Sequence, residues 1–218
     1  MRESISITLN TQAFLNHCNA LKFNGKMTDS QRDGIKVFYQ QWLGLMNTGI
    51  FMPVSYLAYT LATVYHETAY KMVPLEEYGK GKNYPYGKPS AATGLCYYGR
   101  GYVQTTWDYN YEKLSRLIKD KEGNLVDCYN NPELLLIPEW SAQATLFGMR
   151  DGIYTGKSLS DYLDQETPDY VNARRVINGT DKAQTIAGYA EAFKDAANLL
   201  MNMPVDRPLR KQGDKGPY

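Results

Sequence analysis

The chain has 218 residues, 43% of them apolar, which is enough to bury one substantial core, and its length favours a single domain or a domain with a small lobe. Twenty-four basic against 23 acidic residues give a formal net charge of +1, without the basic excess of a dedicated nucleic-acid binder. Three cysteines, Cys18, Cys96 and Cys128, are far apart, form no CxxC pair and are odd in number, which argues against a disulfide framework or a zinc ribbon and for buried free thiols.

The amino-terminal MRESISITLNTQAF lacks the unbroken apolar run of a secretory signal, and no later stretch approaches the length of a membrane span. The chain is therefore expected to be made and folded in the cytosol, without stable membrane insertion. Helical signals follow. Thr28, Asp29 and Ser30 offer N-caps for a segment through Ile35, Phe38, Tyr39, Trp42 and Leu43, and Leu57, Leu61, Val64, Tyr65 and Thr68 mark one face of the next helix. Pro74 disfavours helix at Val73 and lacks an amide hydrogen, so the second helix is expected to end there.

Between Pro74 and Gln104 the periodicity stops, and EEYGKGKNYPYGKPSAATGLCYYGRG reads as loops with one short hairpin. A third helix is expected after Asn110, with Tyr111, Leu114, Leu117 and Ile118. Pro138 and Pro168 fit first-turn positions of two later helices, and Asp181 with Gln184 reads as a capping pair before Ile186, Tyr189, Phe193 and Leu200. The segment from Pro204 is polar and proline-containing, and is expected to be loose. This pattern describes a helical domain with one irregular insertion that forms a lobe or the wall of a cleft.

The stretch YHETAY, Tyr65 to Tyr70, places a histidine beside a glutamate. A helical zinc site needs two histidines four apart on one face, but position 70 is tyrosine and the only other histidine is His17. GKNYPYGKP fails as a phosphate loop, having five residues between Gly81 and Gly87 and a proline where a hydroxyl would bind magnesium. A dinucleotide fingerprint fails too, because Gly79 and Gly81 are followed by Tyr84 instead of a third glycine. No metal or organic cofactor is expected.

Glycoside hydrolysis requires two carboxyl groups, one to protonate the leaving oxygen and one to activate water or attack the sugar. Glu67 and the pair Glu76 and Glu77 are candidates. A continuous helix would separate the backbones of Glu67 and Glu77 by roughly 15 Å, beyond the 6.5–9.5 Å of an inverting pair, so the chain must turn back. Nineteen tyrosines supply flat rings with polar tips, which suit a sugar cleft as well as a core.

HETAYKMVPLEEYGKGKNYPYG, YYGRGYVQTTWDYNY, NNPELLLIPEWSAQATLFGM and RRVINGTDKA occur in the order seen in glycoside hydrolase family nineteen chitinases and their phage endolysin relatives. Four ordered blocks make a strong resemblance, which covers most of the chain from Tyr65 to Ala190. With no export signal, no disulfide set and a short cleft region, the proportions resemble the endolysins more than the secreted chitinases. The resemblance implies a mainly α, lysozyme-like helical domain with a small irregular or β-hairpin lobe flanking a cleft for a β-1,4-linked N-acetylated glycan. That catalytic domain would span residues 1–203, with its cleft lobe at about 74–104 and a flexible tail at 204–218.

By the same resemblance Glu67 is the general acid, in an environment that His66 and nearby tyrosines help to form by burial or neighbouring negative charge. Glu77 is the first choice for the second carboxylate, since it directly precedes the tyrosine and glycine of EEYGKG; Glu76 is the alternative, a one-residue shift that a loop permits. Thr106 matches a hydroxyl that holds the attacking water, and Gln104, Tyr109, Asn110 and Asn178 match substrate-contacting positions, with His66 beside them. Gly99 and Gly101 are read as backbone turns and Arg100 as the partner of a nearby carboxylate. The family's arginine shortly after ING has no counterpart, since DKAQTIAGY offers only Lys182.

The expected activity is inverting hydrolysis of peptidoglycan glycan strands by a monomer that stays in the host bacterial cytoplasm until released to the cell wall, with no nucleic-acid partner. The alternatives are a chitinase of the same superfamily and a catalytically silent glycan-binding virion protein.

Overall fold

The computed structural model describes residues 2–201, so the expected loose tail lies outside the described residues. In chain order the helices are α1 (Arg2–Leu21), α2 (Asp29–Asn47), α3 (Val54–Glu67), α4 (Asp108–Ser115), α5 (Pro138–Arg150), the short α6 (Ser160–Leu163) and α7 (Ala183–Met201). Between α3 and α4 lie β1 (Leu75–Glu76) and β2 (Arg100–Gly101), paired antiparallel with Leu75 opposite Gly101 and Glu76 opposite Arg100. The architecture is mainly helical with one small two-stranded lobe. Among the described residues no helix is long and apolar enough to cross a membrane.

α3 is the central element. Every residue from Tyr56 to Val64 is buried, so the helix is enclosed on all sides, chiefly by α7, with α2 and α5 also against it. Burying Leu57 and Leu61 completely contributes about 1.5–3 kcal/mol each. Around this axis α1 packs on α7 and α2 packs on α5. α1 is a helix that the sequence reading did not anticipate, since RESISITLN mixes β-branched and polar residues without a clear helical stripe.

α2 starts as its sequence directs. Thr28 accepts from the Gln31 backbone N–H while the Gln31 side chain accepts from the Thr28 backbone, closing a capping box. At the other end Trp42 Nε1 donates to Met52 O at 2.9 Å, tying α2 to the segment entering α3. Pro138 opens α5 at its first turn, as expected. Pro168 does not open a helix; it lies in irregular chain ahead of a 3-10 turn at Asn172–Val176. Nor does Asp181 cap α7: Lys182, at φ +57°, is left-handed and precedes Ala183, one residue beyond what an Asp181–Gln184 pair requires.

The lobe is docked on the helical body by polar and aromatic contacts. Tyr102 N donates to Ser141 Oγ at 3.0 Å on α5, and the Tyr102 ring lies 4.7 Å from Phe38 of α2. Arg100 is buried in the lobe, but not against a carboxylate as expected: its Nη1 donates to Cys96 O at 3.1 Å, and its guanidinium sits 3.6 Å from the centre of the Tyr98 ring. A ring face and backbone carbonyls receive the buried guanidinium, whose charge also acts on Glu76.

Candidate active site

Glu67 is the last residue of α3, and the helix ends there instead of running to Val73. Thr68 is the stop. Its Oγ1 donates to Val64 O at 2.8 Å and accepts from Met72 N at 2.9 Å, folding the following residues back under the helix end. Ala69, Tyr70 and Met72 then adopt φ of +48°, +69° and +57°, a left-handed run without glycine that costs about 1–2 kcal/mol per residue. Two side chains of α2 clamp it, Gln31 Nε2 donating to Tyr70 O at 2.9 Å and Ser30 Oγ to Lys71 O at 2.7 Å. Strain held in place by its surroundings, immediately after a candidate acid, is a mark of a functional site.

Beneath Glu67 lies a residue that the sequence reading missed. Arg174, on the 3-10 turn, donates from Nη1 to Glu67 Oε1 at 2.5 Å and from Nε to Asp181 O at 3.0 Å. Its side chain is 2% exposed against 23% for Glu67, so the ion pair runs from the core toward the surface. The partner of Glu67 is thus a buried cation, where the expectation for an acid was burial or a neighbouring negative charge. Arg174 lies in RRV, immediately before ING and not after it, where the resemblance placed an arginine. Tyr59, fully buried about two turns earlier on α3, has its phenol pushed up by burial, with Arg174 pulling it down and Glu67 and Asp169 pushing it up. It therefore remains a neutral neighbour of the ion pair.

The two glutamates of the lobe have different surroundings. Glu77 Oε2 accepts from Gly99 N at 2.8 Å and its Oε1 from the Tyr86 hydroxyl at 3.3 Å, while its own backbone N–H donates to Gly99 O at 2.8 Å. Gly99 leaves room for this packing: a Cβ would stand 2.8 Å from Gln104 Oε1 and 3.3 Å from Glu77 Cβ, so Gln104 would have to shift. Glu76 points into a different set: it accepts from the Tyr98 hydroxyl at 2.6 Å and pairs with Lys80 at 3.4 Å. The Tyr98 hydrogen bond, with Lys80 and Arg100 behind it, holds the Glu76 carboxyl below the usual range. Glu76 is thus occupied as a structural anion, and Glu77 is the half-buried carboxylate held by one amide and one phenol.

Of the remaining candidates, Gln104 and Thr106 lie on the turn that leads into α4, Tyr109 and Asn110 in its first turn, His66 on α3 and Asn178 after the 3-10 turn. Gln104, at φ +56°, spends its amide on the backbone, donating to Leu75 O at 2.9 Å and Gly101 O at 3.2 Å, and so it fastens the lobe. Thr106 is half-buried; its carbonyl accepts from Asn110 Nδ2 at 3.0 Å, and its hydroxyl has no hydrogen-bond partner among the described residues. Asn110 is buried with Oδ1 unpartnered. Tyr109 is half exposed and stacked on Trp107. His66, beside Glu67, has a buried Nδ1 without a partner. Asn178 is exposed, its backbone N–H bound to Arg174 O at 2.9 Å and its Oδ1 accepting from Gly179 N at 2.8 Å. The hydrogen bonds link Glu77 to Gly99 and Tyr86, Gln104 to Leu75 and Gly101, and Asn178 to the arginine that holds Glu67.

No family model and no curated protein matches this chain. Two solved structures are similar to it over most of its length: chitinase C from Streptomyces griseus HUT6037 and a mutant of chitinase C. Each is 19% identical, covers 88% of this chain and 91% of its own, and superposes with a TM-score of 0.45.

Proposed function

We propose that the protein hydrolyses β-1,4 bonds in N-acetylated glycan strands, with bacterial peptidoglycan as its substrate and lysis of a bacterial cell as its role. The observation that carries this reading is the contrast between two fixed carboxylates: Glu67, ion-paired to buried Arg174 at the strained end of α3, and Glu77, bound by Gly99 N and Tyr86 on the lobe that returns from it. The four ordered sequence blocks, of the kind found in endolysins related to family nineteen chitinases, support the choice of glycan chemistry.

In this mechanism Glu67 delivers a proton to the glycosidic oxygen as the bond to the anomeric carbon breaks. Water attacks that carbon from the opposite face and gives its proton to Glu77, and the Thr106 hydroxyl is assigned the role of orienting it. The products are a strand with a free hydroxyl and a strand with a new reducing end of inverted configuration. The carboxyl of Glu67 is regenerated by proton exchange with solvent.

The test uses purified peptidoglycan and chitin side by side, with the wild-type chain and Glu67→Gln. New reducing ends from peptidoglycan, lost in a folded Glu67→Gln protein, are expected. Cleavage of chitin alone would select the chitinase reading, anhydro ends would select lytic transglycosylation, and undiminished hydrolysis by Glu67→Gln would remove Glu67 from the mechanism. Binding without turnover by the wild type would leave a silent glycan-binding protein.

A further inference from the structure

A pocket of about 380 Å³ lies between α2, the first turn of α5 and the turn at 119–122, and it is lined by none of the residues assigned above to catalysis or sugar contact. Its volume falls in the range of small-ligand sites. The inner wall is the buried Gln143 amide, which accepts from Lys119 N at 3.0 Å and donates to Lys119 O at 2.9 Å and to Gln41 Oε1 at 3.0 Å. The turn opposite is equally fixed: Asp120 N donates to Asn124 O at 2.9 Å, while the Asp120 carboxylate accepts from Asn124 N at 2.8 Å and from Asn124 Nδ2 at 3.0 Å. The pocket is therefore preformed.

This frame presents groups that have no partner of their own. Among the described residues Gln41 engages only its Oε1, so its amide N–H groups are free, and the indole N–H of Trp140 has no acceptor. The backbone N–H groups of Glu139 and Trp140, in the first turn of α5, are without an acceptor as well. Lys119, Lys121, Glu122 and Glu139 line the same pocket, and among the described residues none of them forms an ion pair. Exposed charges are ordinarily just solvated. Here two of each sign surround an indole and free amide donors within one cavity, the carboxylate of Asp120 being already taken by Asn124.

We infer that this pocket binds the stem peptide of peptidoglycan, a short peptide that carries carboxylates and, on its diamino acid, an ammonium group. Lys119 and Lys121 are the partners for its carboxylates, Glu122 and Glu139 for its ammonium, and the free N–H groups of Gln41 and Trp140 for its carbonyls. The alkyl chain of the diamino acid lies against Trp140 and Ile137. Charge balance decides against other occupants: a bare sugar chain has no charge to set opposite these four, and a nucleotide would leave two carboxylates facing phosphate. The inference rests on the peptidoglycan reading, and it makes the peptide the feature by which the protein tells peptidoglycan from chitin.

The experiment titrates the free tetrapeptide alanyl-glutamyl-diaminopimelyl-alanine calorimetrically into the full-length protein, and measures turnover on intact peptidoglycan and on the same glycan strands stripped of peptide by an amidase. Trp140→Ala is expected to raise Kd for the tetrapeptide roughly tenfold, and Lys121→Ala and Glu139→Gln roughly threefold each. The last two change exposed side chains, so loss of folding does not intervene. On intact peptidoglycan the three variants should raise KM toward the value for stripped strands and leave kcat unchanged. No binding of the tetrapeptide by the wild type, or an unchanged Kd in all three variants, overturns the site. If intact and stripped strands are cleaved with equal KM, the hydrolase reading stands and the site falls. If the tetrapeptide binds and the variants weaken it while neither glycan is cleaved, the site stands and the hydrolase reading falls.

Discussion

Arg174 reaches Glu67 from inside the core, a 2%-exposed guanidinium donating to a carboxylate that is itself only 23% exposed. Because Nε of the same side chain is tied to Asp181 O, the fork has one orientation and Glu67 Oε1 has one position. Arg174→Ala leaves the carboxylate and a carbonyl without their donor, and is expected to cost about 2–4 kcal/mol of stability and about 100-fold in kcat. Arg174→Lys keeps the charge but not the fork, and should recover more stability than turnover. Urea unfolding with kcat on one peptidoglycan preparation checks both, and a folded Arg174→Ala protein of wild-type kcat would show that the pair is structural only.

Glu77→Gln should lose far more turnover than Glu76→Gln, because Glu76 is engaged by Tyr98 and Lys80 whereas Glu77 faces Tyr86 and Gly99. The expected gap is about 100-fold or more in kcat. The reverse order would move the base by one residue; wild-type rates in both variants would end the paired-carboxylate mechanism.

Acid should unfold the protein through an identifiable set of carboxylates. Glu76 is held low by Tyr98, Asp169 by the Asn172 backbone N–H, and Asp127 by the Asn130 side chain. Each is depressed in the folded state, so its stabilisation is complete above the ordinary carboxylate range and is lost as pH falls through that range and below. Tm is expected to be flat near neutrality and to fall on acidification, and Asp169→Asn should flatten part of that fall. A Tm that rises toward acid would contradict the assignment.

Thiol reactivity should divide the three cysteines. Burial pushes the Cys128 thiol up to about 11 and raises that of Cys18 further, while Cys96 is half-buried. Ellman's reagent at pH 8 is expected to find one reactive thiol in the native protein, lost in Cys96→Ser, and all three after unfolding. Rapid reaction of three thiols in the native state would mean that the core opens readily.

Much of the helical body was legible because it follows local rules: the Thr28–Gln31 capping box, Pro138 at a first turn, and the apolar face of α3 through Leu57, Leu61 and Val64. What escaped was set by tertiary contacts. The end of α3 depends on Thr68 and on two α2 side chains that hold Ala69, Tyr70 and Met72 left-handed, and no glycine advertises that turn. Arg174 escaped because its significance is a contact across 107 positions of sequence, and its neighbour Arg175 carries the same side chain but is exposed. Motif order pointed to Glu67 and to Glu77 ahead of Glu76, and the different hydrogen-bond partners of the two lobe glutamates were not legible in the sequence.

Gly34 of α2 has no room for even a methyl group: a Cβ there would stand 2.2 Å from Met72 O and 2.6 Å from Met72 Cβ. Met72 lies on the strained stretch of chain between Glu67 and the lobe that bears Glu77, so α2 acts as a shim against that stretch. A helix that supplies none of the candidate carboxylates thereby sets how far the lobe can be moved from the end of α3. In a saturation-mutagenesis screen, position 34 should register as intolerant in the manner of a core residue. Substitutions there that still fold would differ from core defects in shifting turnover more than melting, which makes this glycine a handle for tuning the placement of the lobe against the end of α3 without altering any candidate side chain.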